Sequence, residues 1–479
     1  MTWLTGRDAA LLTVTIVVAS VAASAHAVLH KRDTRAAVSW VGLIWLVPGL
    51  GALLYFLLGV NRIRRKATAL RRERLRVETA RELYDFTVPP EAAGEHRGLA
   101  SLARLAGRLS RRPLLAGNRI TPLRNGDEAF PAMLEAIDGA AASVALSSFI
   151  FAADGVGNQF IDALARAVRR GVAVRVLVDG AGVRYSWPPI HRELRRAGVP
   201  CARFLPVTSG AGLAFFNLRN HRKVLVVDGR VAFTGGMNIR RRHVVALGGR
   251  WVTRDVQFRL EGPVVGQLMG AFAEDWAFVT REILEGPAWH TVPAMVGATT
   301  ARALTDGPDG DLDVNRSVMM GALAAARESV SIVTPYFLPD QPMIAALAVA
   351  ALRGVLVSIV LPERPNIPVV RWAVAALLWQ VLKPGCRVYL SPAPFDHAKL
   401  FVVDRAWTYF GSTNWDPRSL RLNFEMDVEC YDPSFAGAAQ SIVNERLWES
   451  REITLADVDG RALPTRLRDG VARLLSPYM

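Results

Sequence analysis

The chain has 479 residues, of which 51% are hydrophobic, and its mean hydropathy is +0.20. This length has room for two or three domains, and the hydropathy argues against a wholly soluble protein. A formal net charge of +15 and a pI near 10.5 favour an anionic partner, which is either nucleic acid or an anionic membrane. The three cysteines, Cys201, Cys386 and Cys430, have no pairing or metal-binding spacing, which fits a reducing compartment.

Two stretches at the N-terminus contain no Asp, Glu, Lys or Arg. They cover residues 9–29 and 36–60, and each is long enough to form a transmembrane helix. We therefore predict two transmembrane helices within residues 1–66. A cleaved signal peptide is the alternative for the first stretch, because Ala25 and Ala27 resemble a cleavage site, and a buried core hairpin is the alternative for both.

Basic residues on either side of the second stretch predict its orientation. Eight Lys and Arg residues lie between residues 61 and 76, whereas the connecting hairpin, residues 30–35, has three. The positive-inside rule then places the larger C-terminal part in the cytoplasm and the hairpin outside. Residues 67–115 are predicted to form a basic helical linker, and the charged helix over residues 62–86 suits either an anionic headgroup layer or solvent.

An alternation of strands and helices begins near residue 118. Apolar strands are predicted over residues 143–151 and 172–179, with an amphipathic helix over residues 159–170 between them. This order of strand, helix and strand is typical of a βαβ unit with a parallel sheet.

The same order recurs in the second half of the chain. Residues 329–336 and 355–362 are the predicted strands, and residues 343–353 are the predicted helix. We therefore predict an α/β fold with two pseudo-symmetric βαβ lobes. The first lobe covers residues 116–295, and the second covers residues 296–479 and includes a C-terminal helix.

One motif occurs once in each predicted lobe with identical spacing. Residues 220–238 and 396–414 both contain H-x-K-x4-D, then six residues, then G-x-x-N. A chance match of one copy is common, but two copies with the same downstream element are a specific signal. The corresponding residues are His221 and His397, Lys223 and Lys399, Asp228 and Asp404, and Asn238 and Asn414.

The residue types of this motif suit the chemistry of a phosphodiester. His and Lys two positions apart on a strand point to the same side, so two copies supply two imidazoles and two ammonium groups to one pocket. Lysines and amides bind non-bridging oxygens, one His attacks phosphorus, and the other protonates the leaving oxygen. The alternative is that both motifs are core strands with satisfied polar ends.

The paired motifs resemble those of the phospholipase D superfamily. The stretch G-S-T-N-W-D-P-R-S-L-R-L-N-F-E at residues 411–425 and the N-terminal apolar segment are similar to bacterial cardiolipin synthases, as are residues 262–276 and 334–340. The resemblance implies phospholipase D-like lobes with the active site between them, and a reaction that needs no metal or other cofactor.

The resemblance also implies roles for the motif residues. His221 would be the nucleophile that forms a phosphohistidine, and His397 would be the general acid. Lys223 and Lys399 would hold the phosphate together with Asn238, Ser412 and Asn414, while Asp228 and Asp404 complete the catalytic motifs and are expected to act structurally. Two departures from the family pattern, Gly236 in place of Ser and Asn366 in place of an acid, leave the choice of headgroup open.

Two acidic residues follow the motifs at similar distances along the chain. Asp255 and Glu425 each open an apolar strand. In the superfamily an acid at this place binds the second nitrogen of a catalytic His, so we assign Asp255 to His221 and Glu425 to His397. The alternative is that both are surface carboxylates.

The implied reaction is a transfer between two phosphatidylglycerol molecules that gives cardiolipin and glycerol. The implied partners are an anionic phospholipid and the membrane, with no nucleic acid, and the implied location is the bacterial inner membrane, with a multi-pass anchor and cytoplasmic lobes. The alternatives are a hydrolytic phospholipase D, another phosphatidyltransferase, a membrane-tethered nuclease and a non-catalytic scaffold.

Three apolar segments are candidates for contact with lipid. They are residues 205–218, residues 367–382 with Trp372 and Trp379, and the C-terminal helix from residue 463. Core packing is the alternative for each of them. In the last helix one face carries Leu463, Leu467, Val471 and Leu474, while Arg466, Arg468 and Arg473 lie elsewhere.

Overall fold

The computed structural model describes residues 6–31, 34–60, 83–94, 97–206, 218–249, 251–291, 294–308 and 313–476. The chain divides into an N-terminal unit, from Met1–Lys66 and Val207–Asn217, and a main body, from Ala67–Pro206 and Leu218–Met479. The charged helix predicted over residues 62–86 lies mostly outside the described residues, and so does the apolar stretch predicted over residues 205–218.

The described part of the N-terminal unit contains three helices. They are α1 at Gly6–His30, α2 at Thr34–Leu46 and α3 at Leu50–Leu54, which continues into a π-helical turn at Tyr55–Gly59. Within the described residues, the Asp8–His30 part of α1 is the one helix that is long and apolar enough to cross a membrane.

The prediction of a second transmembrane helix is not confirmed by the described residues. Residues 36–60 are apolar as predicted, but α2 ends at Leu46 and α3 begins at Leu50. Pro48 has no backbone N–H, and Gly49 has a φ of +79°, so the chain turns between the two helices. The stretch therefore forms two short helical arms.

The first half of the main body contains the strands and helices up to residue 280. The strands are β1 Thr87–Val88, β2 Leu114–Arg124, β3 Ser143–Ser148, β4 Ala173–Asp179, β5 Cys201–Phe204, β6 Arg219–Asn220, β7 Val224–Val227, β8 Val231–Gly235, β9 Thr253–Arg254 and β10 Val256–Glu261. The helices are α4 Arg97–Ser110, α5 Asn125–Asp138, α6 Gly155–Arg169, α7 Ile190–Arg196 and α8 Val264–Thr280.

The second half contains a matching set. The strands are β11 Thr299–Asp306, β12 Ser329–Val333, β13 Leu356–Pro362, β14 Arg387–Ser391, β15 Phe395–Asp396, β16 Leu400–Val403, β17 Trp407–Gly411, β18 Asn423–Tyr431 and β19 Arg451–Ile453. The helices are α9 Val314–Ala325, α10 Gln341–Leu352, α11 Pro368–Ala375, α12 Trp379–Leu382, α13 Pro417–Arg421, α14 Pro433–Glu449, α15 Leu455–Asp459 and α16 Leu463–Leu474.

The strand order confirms the predicted α/β fold with two related lobes. The first sheet has the order β2-β10-β8-β7-β3-β4-β5, in which β4 pairs parallel with β3 and β5 and the other neighbours pair antiparallel. The second sheet repeats it as β11-β18-β17-β16-β12-β13-β14 and adds β19 at its edge. Strands β2 and β11 pair antiparallel, so the two sheets are continuous.

The βαβ units begin and end their helices at the same kinds of residue in both lobes. Asp154 accepts hydrogen bonds from two N–H groups at the start of α6, and Asp340 accepts one from the Met343 N–H at the start of α10. Gly171 and Gly354 follow these helices with φ of +87° and +90°, a conformation that favours glycine. The repeated R-G-V sequence therefore marks the turn from each helix into its second parallel strand.

The predicted linker ends earlier than residue 115. Helix α4 packs against α9, and its apolar stripe of Leu99, Leu102, Ala103 and Ala106 is buried in the core of the second lobe. The spacing of this stripe is that of an amphipathic helix with one buried face. Residues 97–110 therefore pack within the main body.

The apolar segment at residues 367–382 packs largely into the core. It forms the short helices α11 and α12, and its buried side chains include Val370, Ala373 and Val381. Ile367 and Trp379 are 42% and 44% exposed. Of the two interpretations, core packing accounts for most of this segment.

Candidate active site

The two motifs meet through short backbone pairings between the lobes. Strand β6, directly before His221, pairs parallel with β18 of the second lobe, and the His221 N–H donates to the Phe424 carbonyl over 2.9 Å. Strand β15, directly before His397, pairs parallel with β9 of the first lobe, and the His397 N–H donates to the Arg254 carbonyl over 2.8 Å. Each motif is thus fixed against the opposite lobe.

These pairings exchange the acidic partners of the two histidines. Nδ1 of His221 lies 2.9 Å from Oε2 of Glu425, and Nδ1 of His397 lies 2.9 Å from Oδ2 of Asp255. The assignment of Asp255 to His221 and of Glu425 to His397 is therefore wrong, and so is the alternative of surface carboxylates, since both acids are fully buried. The residue before each His pairs with the residue directly before the other lobe's acid, Asn220 with Phe424 and Asp396 with Arg254, which explains the exchange.

Each acid fixes one tautomer of its histidine. When Nδ1–H donates to the carboxylate, Nε2 keeps its lone pair and faces the reactants. Glu425 also accepts hydrogen bonds from the Ser412 hydroxyl and, over 3.0 Å, from the Asn423 amide. Burial raises the pKa of Glu425 to about 7 and raises the pKa of Asp255 as well.

The departure at Gly236 follows from the shorter acid in that half-site. A Cβ atom at Gly236 would lie 2.7 Å from Oδ1 of Asp255 and 2.9 Å from the His397 carbonyl. Ser412 occupies the equivalent position in the other half and hydrogen-bonds its acid, Glu425. The first half therefore combines Gly with Asp, whereas the second combines Ser with Glu.

The two motif lysines are buried and hold equivalent positions. Nζ of Lys223 donates to the His221 carbonyl over 2.5 Å, and Nζ of Lys399 donates to the His397 carbonyl over 2.6 Å. Nζ of Lys399 also lies 3.2 Å from Nε2 of His397. Burial lowers the pKa of Lys223 to about 7 and that of Lys399 to about 8. A bound anion would favour the charged form of both.

Burial and charge favour the neutral form of both histidines. Burial lowers the pKa of His221 and of His397 well below the usual value, and the two nearby lysines lower both further. A neutral imidazole is the nucleophilic form. Two buried lysines thus lie close to two neutral imidazoles, an arrangement that suits a phosphodiester.

The motif aspartates accept hydrogen bonds from backbone N–H groups. Asp228 accepts hydrogen bonds from the N–H groups of Ala141, Ala142 and Ser143 over 2.7–3.0 Å. Asp404 makes the equivalent three contacts, at 2.8–2.9 Å, with the N–H groups of residues 327–329. Both therefore bind the start of the first strand of each βαβ unit, as their expected structural role requires.

The motif asparagines lie at the ends of the strand hairpins. Oδ1 of Asn238 accepts from the Ile150 N–H over 3.0 Å, and Nδ2 of Asn414 donates to the Ser419 hydroxyl over 3.2 Å. Both asparagines are buried. Because Oδ1 of Asn238 accepts from the backbone, its NH2 group is the donor that can bind a ligand.

Sequence analysis missed a buried ion pair that supports the crossed arrangement. Arg222, between the motif His and Lys, donates to Asp275 over 2.8 Å and to the Glu425 carbonyl over 3.0 Å. Asp275 also accepts from Asn220 over 3.1 Å. The signal was the charge of Arg222 close to the apolar run Val224–Val227, since a buried arginine requires an acidic partner.

Aromatic rings surround the two imidazoles. Phe149 meets the His221 ring edge-on with centroids 5.2 Å apart, and Phe395 lies 5.9 Å from the ring of His397. Tyr336 and His243 each lie 6.3 Å from the ring of His397. These rings contribute to the burial of the two histidines, which are 8% and 9% exposed. Among the residues described, no group of three or more His, Cys, Asp or Glu side chains is placed to hold a metal ion.

Two histidine–lysine half-sites built from duplicated lobes define a protein of the phospholipase D class. The family model described as the cardiolipin synthase, PLD-like domain matches residues 133–276 and 319–448, and the model described as the phospholipase D-nuclease N-terminal segment matches residues 18–59. The chain belongs to the cardiolipin synthase family of phospholipase D-like proteins.

Curated relatives match the chain along nearly its whole length. It is 32% identical to cardiolipin synthase A of Pseudomonas putida (strain GB-1), with 96% of each chain covered. It is 30% identical to the major cardiolipin synthase of Bacillus subtilis (strain 168), with 94% of this chain and 95% of the relative covered. The solved phosphatidylserine synthase of Haemophilus influenzae Rd KW20 has a TM-score of 0.60 at 15% identity, covers 79% of this chain and is itself fully covered, which shows the shared fold.

Proposed function

We propose that this protein is a cardiolipin synthase that transfers a phosphatidyl group from one phosphatidylglycerol molecule to a hydroxyl of a second. The observation that carries the proposal is the pair of complete half-sites, each with a buried carboxylate on its histidine, in a chain that matches cardiolipin synthases almost from end to end. Phosphatidylglycerol is the substrate because it supplies both a phosphodiester and a free hydroxyl.

The first step forms a covalent intermediate on His221. Nε2 of His221 attacks the phosphorus, the N–P bond forms, and the bond from phosphorus to the glycerol oxygen breaks. His397 gives its proton to the departing glycerol. Glu425 stabilises the positive charge that develops on His221 because it lies 2.9 Å from Nδ1. That contact is stronger in the transition state than in the ground state.

The second step transfers the phosphatidyl group to the acceptor. His397, now neutral, removes the proton from a hydroxyl of the second phosphatidylglycerol. The resulting oxygen attacks phosphorus, the N–P bond breaks, and cardiolipin forms with His221 restored. Asp255, 2.9 Å from Nδ1 of His397, stabilises the imidazolium at this stage. The aromatic rings around both histidines favour the lipid acceptor over water.

The cationic groups of the site neutralise the phosphate throughout. Lys223, Lys399 and the Asn238 and Asn414 amides bind the non-bridging oxygens, whose charge grows in the transition state. Binding of the substrate anion also raises the pKa of His397, which burial and the two lysines depress. His397 can therefore be protonated when the donor lipid is bound. Ser412 acts through Glu425, whose carboxylate it binds.

The membrane location follows from the proposed cardiolipin synthase function. Helix α1 crosses the bacterial cytoplasmic membrane, residues 36–60 also lie within it, and the lobes are cytoplasmic. The eight basic residues between residues 61 and 76 support this side. In domain terms, residues 1–66 are the anchor, a basic linker leads to the body, and the lobes meet near residue 295.

Covalent trapping tests this proposal. A phosphatidyl ester of p-nitrophenol has a leaving group that needs no general acid, so His397→Asn protein should release one equivalent of p-nitrophenolate and stall. Mass spectrometry should then find the phosphatidyl group on the peptide that contains His221. Matched His221→Asn protein should give no burst. An adduct on another residue, or a burst that persists without His221, would overturn the assignment.

A further inference from the structure

The C-terminal helix α16 turns its apolar stripe away from the main body. Leu463, Leu467, Val471 and Leu474 are 61–72% exposed, and their spacing places them on one face of the helix. The side that faces the body carries Asp469 and Ala472, which are buried. An ordinary surface helix has the opposite arrangement, with its apolar face on the core.

Polar contacts fix α16 in this rotation. The Arg461 guanidinium pairs with Asp469 and donates to the Ala375 carbonyl over 2.9 Å. Arg468 donates to Asp469 over 2.7 Å and stacks on the Trp372 ring at 4.7 Å. Rolling the stripe onto the body would break these contacts and carry the Asp469 carboxylate into solvent without its partners. The outward stripe is therefore a built feature of the fold.

The charges beside the stripe indicate what covers it. Arg466 and Arg473 flank the apolar face, and the whole chain has a net charge of +15. A short helix with an apolar face and flanking basic residues is typical of segments that lie in the headgroup region of anionic bilayers. The same chain carries α1, a helix long and apolar enough to cross a membrane.

We propose that the outer face of α16 inserts into the surface of an anionic phospholipid bilayer and docks the catalytic body on it. The inference rests on the proposed function only for its choice of a phospholipid surface as the occupant. Docking would hold the catalytic body at the interface from which lipid substrate must be drawn. Of the two alternatives for this helix, lipid contact and core packing, the proposal assigns lipid contact to the apolar face.

A fluorescent label tests the docking without relying on activity. The full-length protein with Leu467→Cys in a Cys201→Ser background is labelled with an environment-sensitive dye and reconstituted into phosphatidylglycerol vesicles. We expect a blue shift and strong quenching by lipids that carry a spin label near the headgroup. The matched control, Arg196→Cys on α7, should show neither. Equal behaviour at both sites, or a shift at Leu467 that lipid quenchers leave unchanged, as in a dimer contact, would overturn the proposal.

A second variant links the docking to catalysis. Leu467→Glu combined with Val471→Glu should lower activity on vesicle lipid at least tenfold and leave activity on a soluble short-chain phosphatidylglycerol unchanged. Leu352→Glu on α10, which changes a side chain that is 74% exposed, is the matched control and should change neither. Unchanged activity of the double variant on vesicles, or equal loss on both substrates, would contradict docking by α16.

In the N-terminal unit, the second apolar stretch, residues 36–60, turns back so that its end lies beside the end of α1. Nζ of Lys31, just after α1, donates to the Gly59 carbonyl over 2.6 Å, and Nδ1 of His26 lies 2.8 Å from the Tyr55 hydroxyl. At the other end, a Cβ atom at Gly49 would lie 3.6 Å from the Ile16 side chain. The chain thus runs along α1 from a point beside Lys31 to a point beside Ile16, and then returns to Lys31.

The two arms of this stretch are also too short to cross a bilayer. Helix α2 has 13 residues, and at about 1.5 Å per residue it covers about 20 Å of a hydrocarbon core of about 30 Å. Helix α3 packs directly on the backbone of α2, because a Cβ atom at Gly51 would lie only 2.3 Å from the Leu43 carbonyl oxygen. The turn keeps its backbone hydrogen bonds, from Val47 to Leu43, Gly51 to Val47 and Leu53 to Gly49.

We infer that residues 34–60 form a re-entrant hairpin that enters and leaves the membrane on one side, while α1 alone crosses it. The three basic residues at positions 30–35 and the eight at positions 61–76 then lie on the same, cytoplasmic side. Two full spans would put the first group outside. The hairpin therefore satisfies the positive-inside rule better than the topology that hydropathy alone predicts.

Cysteine accessibility distinguishes the two topologies. Single variants Thr5→Cys, Thr34→Cys and Thr68→Cys, in a Cys201→Ser background, are treated in intact cells with a membrane-impermeant maleimide and again after lysis. We expect labelling of position 5 in intact cells, and of positions 34 and 68 only after lysis. Labelling of position 34 from outside, with position 5 protected, would establish two full spans and overturn the inference. This readout does not depend on the reaction that the protein catalyses.

Discussion

The crossed pairing of histidines and acids predicts which chemical step each acid supports. Glu425 binds His221, the nucleophile, whereas Asp255 binds His397, the acid and base. Replacement of Glu425 by Gln should therefore slow formation of the covalent intermediate. Replacement of Asp255 by Asn should slow its breakdown. Pairing within each lobe would predict the reverse.

The size of each effect follows from the contact that is lost. Both contacts are 2.9 Å long and buried, and each places a carboxylate on an imidazole that becomes positive during its step. A hydrogen bond to a charged group contributes about 1.5–3 kcal/mol. Since each 1.4 kcal/mol changes a rate about tenfold, either substitution should slow its own step by about 10- to 100-fold.

The phosphatidyl ester of p-nitrophenol separates the two steps in one stopped-flow experiment. Its burst rate reports attack by His221, because the leaving group needs no proton, and its steady-state rate reports transfer to the acceptor. Glu425→Gln should slow the burst. Asp255→Asn should leave the burst near that of the unaltered protein and slow the steady state. The opposite pattern, or equal effects of both substitutions on the burst, would refute the crossed assignment.

Four further predictions test other parts of the site. Loss of the proton from the buried lysines, whose pKa values are about 7 and 8, should lower kcat/KM progressively above about pH 7, while the acid side of the profile lies well below the usual histidine pKa. Lys223→Arg removes the lower of the two lysine pKa values and should move the start of this fall upward, and a profile flat from about pH 5 to 9 would contradict this. Gly236→Ala should lower transfer by about 10- to 100-fold, because its Cβ displaces Asp255; activity equal to that of the unaltered protein would show that the acid can move without loss. Asp228→Asn should lower the free energy of unfolding by about 1–3 kcal/mol, seen as a lower melting temperature, and leave kcat unchanged at temperatures where the protein is folded. Chelating agents should leave turnover unchanged, and strong inhibition by them would indicate a metal-dependent reaction instead.

The repeated pattern made much of the fold predictable from sequence. The R-G-V turns at Gly171 and Gly354 end equivalent helices, and the strands on either side of each helix lie where their apolar runs predict. The motif residues also come together as the two matched spacings require. These features depend on local pattern and on duplication, both of which a single sequence contains.

The sequence does not show which lobe's histidine each acidic side chain binds. Asp255 and Glu425 follow their own motifs along the chain, yet each crosses to the other histidine, because β9 and β18 pair with strands of the opposite lobe. Such parallel pairs of two residues leave no periodic signal. The turn at Pro48 and Gly49 did leave a signal, but the length of the apolar stretch outweighed it in the prediction.

The most direct test of the central claim is product analysis with phosphatidylglycerol as the sole lipid. Purified full-length protein in detergent–lipid micelles is given labelled substrate, and the products are resolved by mass, with His221→Asn protein as the control. We expect cardiolipin and free glycerol in equal amounts, and neither from the control. Phosphatidic acid with glycerol would mean that water is the acceptor, and the protein would then be a phospholipase rather than a synthase.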